Sequence, residues 1–212
     1  MLARRSEDQG DGDVTLDTYR QRRRFGRTPE PPGEAEPPRG PSSPTSGRFV
    51  VQRHRATRLH YDVRIELDGV LVSWAVPRGP SLDPRQRRLA IHVEDHPLDY
   101  YSFEGVIPSG EYGGGDVIVW DWGRWTVDPS VPDAARALRE GRLAFRLDGE
   151  KLRGAFVLLR MNWREGRKEQ WLLIHRRDED AVPDWDAEDY PESVKTGRTN
   201  DELAALRGRK RG

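Results

Sequence analysis

The sequence predicts a mainly β protein: a single closed or nearly closed β-barrel with one or two short helices and flexible N- and C-terminal segments. Three observations carry this. Between residues 48 and 177, eight short runs of β-type residues recur, separated by Gly, Pro and Asp. Several of them alternate apolar and polar residues, the period of a half-buried strand. Only one segment carries clear helix punctuation at both ends. Many short strands with tight turns favour a barrel or sandwich over a parallel sheet, whose crossovers need helices.

Residues 1–47 form an arm. Seven of the chain's 16 prolines fall between Pro29 and Pro44, and apolar periodicity is nearly absent, so the arm cannot bury enough surface to order itself. Within it, LDTYRQRRRF (16–25) reads either as a short basic helix with Asp17 as N-cap or as an extended segment that orders on a ligand. The barrel runs are RFVVQRH, LHYDVRIEL, GVLVSWAV, RLAIHVE, GDVIVWDWGRWTV, RLAFRLDG, GAFVLLRMN and QWLLIHRR, spanning a domain of 48–177. Asp68-Gly69 before the third run is a two-residue hairpin signal. VPDAARALREG (131–141) reads as a helix, with Pro132 in its first turn and Gly141 as its stop. IPSGEYGGGD (107–116) lacks the Lys-Ser/Thr of a phosphate loop and lies between strands, so it reads as a tight turn or bulge. The tryptophans of the strand runs read as core or rim residues. Residues 178–212, acidic and then basic, read as a tail.

Composition narrows the chemistry. There is no cysteine, which excludes disulfides, Cys-ligated metals and a thiol nucleophile, and leaves His and carboxylate to hold any metal. No run approaches the roughly 18 apolar residues of a membrane span, and the start turns polar where a signal peptide turns apolar, so a cytoplasmic protein is expected. The net charge is zero, but residues 178–192 hold eight acids and no base, so the remainder carries +8. That basic remainder is compatible with a nucleic-acid partner. Only four of the 36 basic residues are lysine. Arginine's fork suits phosphate, although a GC-rich genome gives the same bias.

Four of five histidines (His54, His60, His92, His96) fall within 43 residues. In LHYDVRIEL, alternation sends Tyr61, Val63, Ile65 and Leu67 to the core and leaves His60, Asp62, Arg64 and Glu66 on the other face. A two-residue step of about 6.7 Å lets His60 and Asp62 lean onto one cation. A hairpin through RATRL brings His54 beside His60, which gives two imidazoles and one carboxylate for a divalent metal. Arg64 is placed to fork onto a metal-bound phosphate. The His96-Pro97 turn aims His96 at the same face. His92 and His175 read as exposed. A charge ladder on a solvated strand face is the plain alternative for this row.

The stretch FVVQRHRATRLHYDVRIELDGVLVSWAVPRGPSLDP, with VEDHPLDYYSFEGVIPSGEYGGGDVIVWDWG after it, strongly resembles the 3′-phosphoesterase domain of bacterial DNA ligase D, from about Leu16 to Thr199. The H-x5-HYD-x-R and EDHPLDY blocks are its most specific parts. The resemblance implies a β-barrel with its active site in a surface groove. It also implies a Mn2+-dependent enzyme, with other divalent transition metals as substitutes, that trims DNA 3′ ends in non-homologous end joining. A 3′-terminal ribonucleoside is removed to leave a 3′-phosphate, which is hydrolysed to 3′-OH. The implied partners are DNA or RNA-tailed primer-template ends, Ku and ligase or polymerase activities, for a monomer working at the nucleoid.

By the same resemblance His54, His60 and Asp62 match metal ligands, and Arg64, His96 and Tyr100 match groups that hold or activate the scissile phosphate. Arg78 falls where relatives have lysine, Arg88 at a basic position near the phosphate, and Arg23 and Glu30 at arm positions implicated in activity. Relatives tend to have His and Asp where this chain has Thr18 and Arg24, which bears on the ribonucleoside step. Attack by water and a covalent phosphohistidine on His96 both fit the residues. Two other readings share the local pattern: a non-haem Fe(II) oxygenase, which also uses His-x-Asp with a later His, and a non-catalytic module that holds DNA ends.

Overall fold

The computed structural model describes residues 15–33, 44–161 and 168–209. The prolines between 34 and 43, Asn162 at the end of the seventh run, and the chain end from Lys210 lie outside the described residues. All eight predicted runs are strands: β1 (Ser46–Arg55), β2 (Leu59–Leu67), β3 (Val70–Val76), β4 (Arg87–His96), β6 (Gly115–Val127), β7 (Arg142–Gly149), β8 (Arg153–Arg160) and β9 (Gln170–His175). A short β5 (Gly105–Ile107) is additional. The sheet runs β1-β2-β3-β4-β9-β8-β7-β6-β5, and β1 also pairs with β6, so eight antiparallel strands close into a barrel and β5 flanks β6.

The β2–β3 turn shows why the sequence folds this way locally. Leu67 pairs with Val70, leaving Asp68 and Gly69 as the two loop residues, with φ of 50° and 82°. Both lie in the left-handed region that a type I′ hairpin requires and that Gly and Asp tolerate best. The alternation read in β2 holds: Tyr61, Val63, Ile65 and Leu67 join Phe49, Trp74, Trp120, Trp125, Phe145, Phe156 and Trp171 in the main core. The opposite face of β1, β2 and β3 therefore points out of the barrel. There a second apolar cluster forms from Tyr19, Leu71, Tyr100, Phe103, Ile107 and Val117.

Tyr19 belongs to the arm, and it is fully buried. Helix α1 (Leu16–Gln21) is shorter than the basic run, and Asp17 lies in its first turn, with Thr15 at the N-cap. Helix α2 (Ala134–Arg139) is capped by Asp133, whose carboxylate accepts from the Arg136 amide at 2.9 Å. Pro132 therefore lies before the helix rather than in its first turn. Gly141 follows the C-cap with φ of 84°.

Trp185, Ala187, Ser193 and Asn200 are buried, which moves the edge of the folded unit beyond Arg177. Trp185 is 9% exposed and sits edge-on to Trp120, and Glu188 accepts from the Tyr61 hydroxyl at 2.6 Å and from Arg53. Helix α3 (Asn200–Arg209) follows. Asn200 is buried and donates to the carbonyls of Arg53 and Asp116. The acidic run thus serves arginine pairing and burial, which its composition concealed.

Candidate active site

On the outer face of the barrel, β1 and β2 pair Gln52 with Asp62 and His54 with His60. Strand alternation puts all four side chains on one side. The two imidazole centres are 4.7 Å apart, and one donor atom from each of His54, His60 and Asp62 lies within 4.8 Å of the others.

The hydrogen bonds behind the rings settle their tautomers. His54 Nε2 lies 2.8 Å from the Gly113 carbonyl, and His60 Nδ1 lies 3.0 Å from the Arg58 carbonyl. A carbonyl only accepts, so those nitrogens carry the protons. The remaining nitrogens, His54 Nδ1 and His60 Nε2, face Asp62 oxygens at 3.5 and 3.6 Å. Two imidazole nitrogens and a carboxylate turned onto one point are a donor set for a divalent metal, and a backbone carbonyl behind each ring is the usual support of a metal-ligating histidine. The trio fits a divalent cation. Burial works against the charged Asp62, but the Arg64 guanidinium together with the His54 and His60 rings more than offsets it and holds the carboxyl well below the usual range.

Arg64 is 2% exposed. Its Nε donates to Gln52 Oε1 (2.8 Å), its Nη1 to Ser73 Oγ (2.9 Å) and its Nη2 to Asp62 Oδ2 (3.0 Å). Its Nη1 also lies 2.9 Å from His96 Nδ1, a nitrogen that faces the Glu94 carbonyl at the same distance. Three of its five N–H groups are thus given to protein oxygens, which holds the guanidinium rigidly.

His96 reaches the site through an irregularity that the sequence hides. Between Leu71 and Ser73 of β3 the pairing register with β4 shifts, so that β4 runs three residues from Val93 to His96 against two on its neighbour. Such an insertion turns side chains, and Glu94 and His96 both line the cleft. His96 Nε2 lies 3.1 Å from Arg23 Nη2. Burial and the two guanidiniums, Arg64 and then Arg23, hold His96 well below the ordinary imidazole value, so it is neutral near pH 7.

The arm supplies the opposite wall. Arg23 donates to Glu30 Oε1 (2.8 Å) and Glu94 Oε1 (3.2 Å), and its guanidinium lies 3.7 Å from the Tyr19 ring centre. Tyr100 donates to Glu30 at 3.1 Å, and burial followed by the Glu30 carboxylate pushes its phenol well above 10. Arg23, Glu30, His54, His60, Asp62, Arg64, His96 and Tyr100 therefore line one cleft of about 210 Å³. Arg78 and Arg88 do not line it. Arg78 is exposed beyond β3; Arg88 shares the strand parity of the core residue Ala90, and its Nε is buried without a partner among the described residues.

Two histidine readings are corrected. His92 stacks on Trp74 and meets Glu169 at 2.9 Å, and His175 is 1% exposed, edge-on to Phe156. Glu94, Gln52, Ser73, Tyr112 and Lys168 are contributors that residue reasoning missed. Gln52 and Glu94 each stand two residues before a site histidine, the spacing that signalled Asp62. The glycine run is the loop before β6, and its Gly113 carbonyl orients His54.

Comparison with known proteins agrees with this architecture. The family profile described as the DNA ligase D 3′-phosphoesterase domain matches residues 52–160. The multifunctional non-homologous end joining protein LigD of Pseudomonas aeruginosa is 50% identical over 189 residues, which is 87% of this chain and 21% of that protein. LigD of Mycobacterium tuberculosis is 45% identical over 161 residues (76% and 19%), and LigD of Mycolicibacterium smegmatis 40% over 167 (77% and 21%). The chain spans about a fifth of the length of these relatives. The matched stretch carries both HYD-x-R and the EDHPLDY histidine that the barrel brings to one cleft, and with these relatives it shows that the chain belongs to the DNA ligase D 3′-phosphoesterase domain family.

Proposed function

We propose that this protein is a Mn2+-dependent DNA 3′-end-processing phosphoesterase of double-strand break repair by non-homologous end joining. It hydrolyses a 3′-phosphate to 3′-OH and removes 3′-terminal ribonucleosides. The observation that carries the reading is the convergence of one ligand atom each from His54, His60 and Asp62 beside a buried Arg64. A divalent cation on that trio supplies Lewis-acid neutralisation of phosphate charge. Asp62 is shared between the trio and Arg64 and fixes their separation. Gln52, Ser73 and Asp62 hold Arg64 in place, so a remaining N–H meets a phosphoryl oxygen without reorganisation. Neutral His96 contributes a hydrogen-bonding group between two guanidiniums. Both ring nitrogens already face partners, which favours attack by water over a covalent phosphohistidine.

The same contacts weigh against an oxygenase. His96 is turned to Arg64 and Arg23 and does not complete a triad with His60 and Asp62. An end-binding module without turnover would need no convergence of His54, His60 and Asp62. DNA ends and RNA-tailed DNA ends are the substrates in this reading, and Ku and ligase or polymerase activities its working partners. The test incubates the protein with one primer-template ending in a 3′-phosphate and another ending in a single ribonucleotide, with manganese, with Fe(II) and with EDTA. Manganese-dependent formation of 3′-OH from the first is expected, and product from the second shows whether the chain performs the ribonucleoside step with Thr18 and Arg24. Bound but unconverted ends would overturn the assignment.

A further inference from the structure

The cleft has a floor and a mouth. Arg64, His96 and Asp62 on the floor are 2, 3 and 6% exposed, whereas Tyr112 is 43% exposed and Lys168 is exposed, and all five line the same cleft. Tyr100, also aromatic and lining the cleft, is 2% exposed, so its ring face is not offered. Tyr112 immediately precedes the residue whose carbonyl orients His54, and it lines the same cleft as His54, His60 and Asp62. Its loop is tightly wound, with Glu111 N–H on Pro108 O (3.2 Å) and Gly114 N–H on Glu111 O (3.0 Å), and Gly113 at φ 73°. The phenol is tethered as well. Its oxygen accepts from Arg22 at 2.9 Å and faces Glu94 at 3.5 Å, and the guanidinium carbons of Arg22 and Arg23 stand 5.2 and 5.5 Å from the ring centre. An aromatic ring is thus pre-oriented and wet at the entrance to a polar, phosphate-sized floor.

We propose that Tyr112 is a positioning residue on which the nucleobase of the 3′-terminal nucleotide stacks while its phosphate occupies the floor. This rests on the phosphoesterase reading and specifies what that site recognises. The floor groups address only phosphate, which any monoester presents. Stacking on Tyr112 adds recognition of a nucleoside without choosing among bases, because every base has a π-face. The ring is already held by Arg22 and Glu94, so little further ordering is needed on binding.

The test compares wild type, Y112F and Y112L on 3′-phosphate strands that end either in a normal nucleotide or in an abasic sugar, with manganese. A stack is worth about 1–3 kcal/mol, and about 1.4 kcal/mol is tenfold, so Y112L is expected to raise KM about tenfold or more on the normal end. The kcat and the KM for the abasic end stay near wild type, and Y112F, which keeps the ring but loses its tether, falls between wild type and Y112L. A second readout needs no turnover: with EDTA, a 2-aminopurine at the 3′-terminal position is quenched by wild type and Y112F but not by Y112L. Unchanged KM and quenching in Y112L would overturn the proposal. So would a Y112F as impaired as Y112L, since the phenol's bonds would then be its whole role. Wild type inactive on both ends would overturn the phosphoesterase reading instead, and the quenching would still decide the stack.

Discussion

Arg23 and His96 stand 73 residues apart in the chain and 3.1 Å apart in the fold. The contact makes a segment outside the barrel part of the cleft, because the same guanidinium also holds Glu30 and Glu94, both buried. Arg23→Ala leaves Glu30 to the Thr28 and Tyr100 hydroxyls and Glu94 to Arg22, and breaking a buried ion pair costs about 3–5 kcal/mol. The cost falls on docking of the arm, whose helix has only six residues. Expected are faster proteolysis after the arm's arginines and at least a tenfold loss of turnover, with barrel melting within a few degrees of wild type. A variant with an intact arm and full activity would show that the contact is incidental.

His60 is the trio's most accessible member, with a side chain 24% exposed against 9% for each of the other two. His60→Ala should therefore leave melting nearly unchanged and abolish both manganese binding and conversion of either 3′ end. Calorimetric titration with manganese and gel assays of the two ends check this. Activity restored by excess manganese would count against the trio as the metal site.

Glu169 gives a pH signature away from the cleft's chemistry. Burial raises its carboxyl, but hydrogen bonds with His92, Arg160 and Trp171 win and bring it down to about 2. A carboxyl lowered by folding stabilises the folded state above its unfolded value, near 4.3, and loses that contribution as the pH falls toward the folded value. The melting gap between wild type and Glu169→Gln should then be equal at pH 7 and pH 5.5 and shrink at pH 3.5. A gap independent of pH would show that the glutamate acts by shape alone.

Trp185 anchors the acidic run, 9% exposed against Trp120 and stacked on Tyr190 with ring centres 5.3 Å apart. Trp185→Ala is expected to lose about 3–5 kcal/mol. No residue of 178–209 lines the cleft, so turnover at 25 °C should hold. Denaturant unfolding and steady-state kinetics separate the two effects.

The barrel was legible because its signals are local. Period-two alternation in LHYDVRIEL assigned both faces of β2, and the short RATRL connection dictated the pairing of His54 with His60. What escaped depends on distant partners. His92 looked exposed because its contact, Glu169, lies 77 residues away, and the burial of Trp185 depends on a barrel end assembled from other strands. Glu94 stayed hidden because a register shift between β3 and β4 leaves no mark in either strand's alternation. Arg64 was found, but its bonds to Gln52, Ser73 and Asp62 and its contact with His96 draw on three other strands.

β1 is hydrogen-bonded on both sides, to β2 and to β6, within a ring of strands that closes on itself. A closed ring has no edge from which to peel, so backbone amides around His54 and His60 exchange with solvent only when most of the barrel opens. The arm has no such ladder; side chains hold it, Tyr19 in the outer apolar cluster and Arg23 on Glu94 and His96. The cleft therefore joins two kinds of anchorage: backbone pairing that closes on itself under His54, His60 and Asp62, and side-chain contacts that dock Arg23 and Glu30 onto it.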